Sequence, residues 1–143
     1  MTLTNIGVRV GVAIVFLDKD NQVLIGKRVN TSSGSHLWGL PGGRMELWED
    51  TKKTAVREAQ EETGLIIKEE DLEYLFFTND MFKESGEHWL TLYYKAFNWE
   101  GIVKRMEPDK CLEWKWENIN KLSKKEIFCG WKEPLKKILK NEK

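Results

Sequence analysis

GRMELWEDTKKTAVREAQEETGL, residues 43–65, sets Glu49, Arg57, Glu58, Glu61 and Glu62 between a glycine entrance and a glycine exit. Carboxylates this dense repel one another unless something positive sits among them. A hard divalent cation, which prefers oxygen ligands, is the natural counter-charge. The stretch therefore points to metal-assisted chemistry on a phosphate. Pro41-Gly42-Gly43 predicts a turn ahead of it. Asp50 or Thr51 caps a helix that meets no proline or glycine over residues 51 to 63. Gly64 ends that helix in the left-handed region. Residues three and four apart share a helix face, so Glu58, Glu61 and Glu62 project to one side. Ala55 and Ala59 are small enough for close approach to another element, and Arg57 is placed to pair with an acidic neighbour such as Glu49. A merely solvated acidic face would interleave lysines at spacings of four. Here Lys52 and Lys53 precede the cluster by a turn or more.

Composition bounds the rest. A chain of 143 residues has the size of one domain, 1–143, with a sizeable core. Lysine plus arginine, 23, equals aspartate plus glutamate, 23, so no global field favours a nucleic-acid polymer. No apolar run reaches spanning length and Met1 to Arg9 lacks a leader pattern, so a cytoplasmic protein without membrane contact is expected. Cys111 and Cys129 make neither a disulfide framework nor a zinc site.

Along the chain, Val8 to Leu17 reads as a buried strand. Asp18 to Asn21 is a hairpin turn, and Gln22 to Arg28 returns as a second strand. Thr31 to Ser35 is a flexible polar loop. Leu72 to Phe77, His88 to Trp99 and Leu112 to Trp116 read as further strands, the last with Trp114 and Trp116 on one face. Gly130 to Lys140 is a helix with Leu135, Ile138 and Leu139 as its apolar stripe. On the second strand Lys27 and Arg28 read as facing phosphates or as a solvated edge pair, with Arg28 the better phosphate contact. His36 and His88 read as ordinary surface or hydrogen-bonded histidines.

Residues 43 to 65 resemble the Nudix box, G-x5-E-x7-R-E-U-x-E-E-x-G-U with U aliphatic. Gly43, Glu49, Arg57, Glu58, Glu61, Glu62, Gly64 and Leu65 fill the pattern. Ala59 takes an aliphatic position, and Trp48 stands where many members carry glycine. Residues 7 to 29, LWGLPGG at 37 to 43, residues 106 to 122 and IFCGW at 127 to 131 extend the resemblance over nearly the whole chain. Residues 106 to 122 and 127 to 131 are similar to a narrower group, the 8-oxo-dGTP diphosphatase-type nucleoside triphosphate pyrophosphatases.

The resemblance implies an α/β Nudix fold, an α/β/α sandwich with a central mixed sheet. It implies Mg²⁺, or Mn²⁺, on Glu58 and Glu62, with Glu61 third and the Gly42 carbonyl completing the set. Glu58 or Glu61 serves as general base, with Asp80, Glu84, Glu87 and Glu107 as later candidates. Glu49 and Arg57 support the ligands. The base is held by Leu40, Thr91 and Phe128-Cys129-Gly130-Trp131, where the group commonly has tryptophan and an aliphatic residue at the Cys129 and Trp131 positions. The expected reaction converts a nucleoside triphosphate, including oxidised or noncanonical dNTPs, to monophosphate and pyrophosphate. The alternatives are another Nudix substrate (NADH, ADP-ribose, a dinucleoside polyphosphate, a nucleotide sugar or capped RNA) and a non-catalytic nucleotide-sensing module. A homodimer is also expected from the resemblance.

Overall fold

A computed structural model describes residues 7–31, 33–123 and 126–141. Residues 1–6, part of the stretch read for a leader, and Ser32 of the 31–35 loop lie outside them. The elements run β1 (Val8–Phe16), β2 (Val23–Arg28), β3 (Trp38–Gly39), β4 (Gly42–Arg44), α1 (Thr51–Thr63), β5 (Leu72–Phe82), β6 (Glu87–Ala96), β7 (Cys111–Glu117) and α2 (Lys132–Asn141). The architecture is α/β: a four-stranded mixed sheet ordered β4-β1-β6-β5 and a three-stranded sheet ordered β3-β2-β7, with two helices. No helix among the described residues is long and apolar enough to cross a membrane.

Alternation along β1 explains the layering. Val12, Ile14 and Phe16 face one core, with Leu24, Ala55, Ala59 and Tyr94. Ala13 and Val15 face the other, with Ile25, Tyr93, Trp131 and Leu135. Side chains two apart point to the same side of a strand, so β1 serves both cores at once. Ala55 and Ala59 are fully buried, which lets α1 lie close against the first core. Asp50 caps α1 by accepting from the Lys53 N–H at 3.0 Å, and Gly64 ends it at φ 77°.

Two expectations change. The Asp18–Asn21 turn forms, with the Asp18 carboxylate accepting from the Asp20 and Gln22 N–H groups. However, β1 and β2 separate into different sheets beyond a single bridge, Leu17 with Val23, so the pair is not a hairpin. The cause is β1's partnership with β6, parallel over Val8 to Phe16, and with β4 on its other side. Gly42 and Gly43 are also not turn residues. They begin β4 and pair with Ala13 and Val12. Glycine is needed for that approach: a Cβ on Gly42 would fall 2.2 Å from the Val12 carbonyl oxygen. Further differences are small. β5 continues to Phe82 and β6 stops at Ala96, while Trp114 and Trp116 share one face as expected, packing on the α1-side core.

Gly42→Ala is expected to cost about 1–3 kcal/mol, because the clash is with backbone that cannot swing away. Chemical denaturation checks this; an unchanged midpoint would show that β4 moves freely off β1.

Candidate functional site

The charged residues of α1 and its entry loop are organised by one guanidinium. Arg57 Nε donates to Glu49 Oε2 at 2.8 Å and Nη2 to Glu49 Oε1 at 2.9 Å, a bidentate pair. Nη1 donates to Glu58 at 2.7 Å and to Glu61 at 3.3 Å, and Nη2 also reaches the Arg44 carbonyl at 3.0 Å. Glu49 further accepts from Thr54 Oγ1 at 2.7 Å and the Glu46 N–H at 3.1 Å. The Arg57 hydrogen bonds hold the Glu49 carboxyl down at about 2, and the Glu49 bonds in turn push the Arg57 guanidinium up. Both therefore stay charged across the physiological range.

Glu62 lies at the inner end of this set. Its Oε1 accepts from the Gly42 N–H at 2.7 Å, and its carbonyl accepts from Trp114 Nε1 at 3.2 Å, which ties α1 to β4 and β7. Burial pushes its carboxyl up to about 8; the Gly42 bond opposes this, while Glu58 and Glu107 add to it. Glu58, with its side chain 13% exposed, is also raised, by burial first and against the pull of Arg57. Glu61 stands apart, with its side chain 52% exposed. A Cβ on Gly43 would sit 2.4 Å from the Glu58 carboxyl carbon, so the glycine leaves the space which that carboxylate occupies.

This donor set fits a hard divalent cation. Negative groups from two elements crowd a buried carboxyl that only Arg28 among the neighbouring cations offsets. Among the described residues, no three His, Cys, Asp or Glu side chains yet converge at ligand spacing. Glu58 is drawn onto Arg57, and Glu62 onto Gly42.

Beside the carboxylates a cleft of about 230 Å³ opens over β1 and β6. Arg28, Leu40, Thr91, Phe128, Cys129 and Trp131 line it; Gly130, also expected there, is exposed and outside it. The reason lies one residue earlier. Cys129 takes φ 69°, turning the chain so that its own side chain and Trp131 face inward. One wall is a stack. The Arg28 guanidinium lies 3.7 Å from the centre of Phe128, which is stacked on Phe82 with centroids 5.3 Å apart and planes 10° from parallel. The Cys129 thiol is pushed up to about 12 by burial and then by Asp80, so it is a neutral wall, not a thiolate. Trp131 is 1% exposed, and its Nε1 has no hydrogen-bond partner among the described residues.

Three aromatic lining residues are among those that escaped the sequence reading. Phe82, Trp89 and Tyr93 enter because β5 and β6 alternate toward the same side as β1's cleft face. The available signal was the period-two run Glu87, Trp89, Thr91, Tyr93. Of the later carboxylates considered as bases, Glu107 alone acts on both Glu58 and Glu62. Glu87 lines the cleft instead, accepting from Trp89 Nε1 at 2.9 Å and Arg9 at 3.2 Å. Lys27 lies over the Trp38 ring at 5.9 Å.

Known proteins share this fold. The NUDIX domain profile matches residues 7–137. An RNA pyrophosphohydrolase of Pelagibacter ubique is 31% identical over 154 aligned positions, covering 94% of this chain and 96% of that protein. A MutT NUDIX hydrolase from Burkholderia pseudomallei superposes with TM-score 0.75 at 27% identity, over 82% of this chain and 88% of that one. A MutT protein from Methanosarcina mazei Go1 shares the fold over 99% of both chains, with TM-score 0.79 at 17% identity.

In chelator, the melting temperature is expected to fall as pH rises from about 5 to 8. The folded chain keeps the Glu62 proton up to about 8, whereas the unfolded chain releases it near 4.5. The fold therefore binds more protons in that window and loses stability as pH climbs through it. Glu62→Gln should flatten the slope. Mg²⁺, which needs the ionised carboxylates, should raise the melting temperature more at about pH 8 than at about pH 6. Scanning fluorimetry reads all three, and an undiminished slope in Glu62→Gln would assign the proton elsewhere.

Proposed function

The chain belongs to the Nudix family and is a pyrophosphohydrolase of it, and we propose that it hydrolyses nucleoside triphosphates to a monophosphate and pyrophosphate. One observation carries the reading: a metal-fitting carboxyl pair, Glu58 and Glu62, packs on Gly43 and Gly42, and those two glycines line a nucleoside-scale cleft walled by aromatic rings.

Nudix hydrolases use a divalent cation. Mg²⁺ is the choice proposed here, with Mn²⁺ as substitute, held by Glu58, Glu62, Glu61 and the Gly42 carbonyl. When bound, the cation would neutralise phosphate oxygens and acidify water. The chain's own residues supply the rest. Arg57 and Glu49 fix the orientation of Glu58. Glu61, the most exposed of the three and held by only a 3.3 Å contact, is the box carboxylate best placed to accept a proton from the attacking water, with Glu58 beside it. In the cleft, the Arg28–Phe128–Phe82 stack and Trp89 offer flat surfaces to a base. Thr91, Leu40, Cys129 and Trp131 complete the walls.

A second reading is capped RNA. It is favoured by the Pelagibacter relative, which is named an RNA pyrophosphohydrolase and whose length this chain spans almost completely. The formal net charge of zero weighs against a long polyanion track and leaves the free nucleotide first. The other Nudix substrates and the non-catalytic sensor have no observation of their own here. A homodimer stays part of the proposal through the resemblance alone, and a cytoplasmic location through the composition read above.

Mg²⁺-dependent turnover on dNTPs, 8-oxo-dGTP and capped oligoribonucleotides, with product analysis, tests this. Glu58→Gln and Glu62→Gln should each lower kcat by roughly 100-fold or more while the protein stays folded. Preferred turnover of the oligonucleotide would install the second reading. Full activity in both variants would remove the assignment of the metal site.

A further inference from the structure

Strand β5 is the outer strand of the four-stranded sheet, and among the described residues β6 is the only strand paired with it. The pairing shifts once, between Tyr74 and Phe76, and then runs regularly from Phe76 to Phe82. The main-chain groups along the other edge of that run are left without a strand partner. Phe77 and Met81 lie on the α1 side, opposite Leu92 and His88, and are 58% and 59% exposed. Phe76 and Phe82 lie on the cleft side, stacked on Tyr93 and Phe128.

An apolar edge of this kind is ordinarily blunted by lysine, proline or a bulge. Residues 76–82, FFTNDMF, contain none of these: the bulge lies ahead of them, and Asp80 is their single charge. The Asp80 carboxylate already accepts from Thr78 Oγ1 at 2.7 Å. The run is also a palindrome in chemical type about Asn79. Reading outward, threonine matches aspartate, phenylalanine matches methionine, and phenylalanine matches phenylalanine. An unrelated peptide adding to the edge would make no use of that symmetry. A second copy uses it fully, because a two-fold axis sets each residue against its counterpart position in an antiparallel pair.

We propose that β5 pairs antiparallel with β5 of a second copy of this chain, about a two-fold axis at Asn79, joining the two four-stranded sheets into one continuous sheet. Phe77 of each copy then lies against Met81 of the other, a ring-to-sulfur contact on the α1 side. Thr78 comes beside Asp80 and Asn79 beside its own counterpart, so no like charges oppose each other. On the cleft side, Phe76 of one copy comes beside Phe82 of the other, behind the Phe82–Phe128 stack. The proposal gives an interface to the homodimer and does not depend on which substrate is cleaved.

Sedimentation equilibrium over about 1–100 µM tests this with the full chain and no substrate. Wild type should associate to twice the mass of one chain. Phe77→Lys and Met81→Lys, both at exposed positions, should each weaken the association about tenfold or more, because an ammonium would be stripped of water against an apolar partner. Asn79→Cys should cross-link to itself under mild oxidation, since residues that face each other on the axis come within disulfide reach. Tyr74→Cys, also exposed but far from the axis, should not. A monomeric wild type at about 100 µM would overturn the proposal. So would open-ended assemblies, a dimer that survives both lysine substitutions, or cross-linking that is absent from Asn79→Cys or equal in Tyr74→Cys. Melting temperatures of the variants separate lost association from lost fold. None of these readings uses turnover, so failure here leaves the pyrophosphohydrolase assignment standing.

Discussion

A single guanidinium decides whether this site exists. Arg57 is surrounded by Glu49, Glu58 and Glu61, with Glu46 at 3.9 Å, and spends its donors on three of those carboxylates and one backbone carbonyl. Without a cation at that position, four acidic side chains from one helix and its entry loop would repel one another. With it, the same side chains become fixed points. The planar fork matters, because two parallel bonds to Glu49 leave Nη1 aimed at Glu58. The geometry ties the loop that enters α1 to the middle of α1.

The second requirement is close approach. Gly42 lets β4 press onto β1 and offers its N–H to Glu62. Trp114 grips the carbonyl of the same residue from the other sheet. Glu62 is thus held by a strand of each sheet, which is why a carboxyl this buried keeps one orientation. Trp48 shows what the tight entry loop imposes elsewhere. It adopts φ 68° with its side chain 94% exposed, in the position where the family resemblance led one to expect glycine. A side chain there meets the left-handed region's steric penalty.

What the sequence disclosed was what lies contiguous in it. The helix bounds, the Asp50 cap, the Gly64 stop and the Glu49–Arg57 pairing all follow from local spacing, and the structure has each of them. The division into two sheets was not legible, because it depends on which distant strand β1 chooses. For the same reason the cleft walls were only partly foreseen. Trp89 reaches the site through its register opposite Arg9, and Phe82 through its register opposite Glu87. Pro41-Gly42-Gly43 misled because glycine signals both a turn and a close contact, and only the neighbouring Val12 carbonyl distinguishes them.

The parallel ladder between β1 and β6 has a consequence for how the chain acquires its form. Val8 lies beside His88 and Phe16 beside Ala96, partners separated by more than half of the sequence. Helix α1, with its own cap and stop, needs only neighbours, whereas that ladder must close a long loop before any of its contacts reward the loss of chain freedom. During synthesis the acidic helix emerges well before β6. Its carboxylates therefore wait in water, and Glu62 gains its last tie only when Trp114 arrives on β7, the final strand to be made.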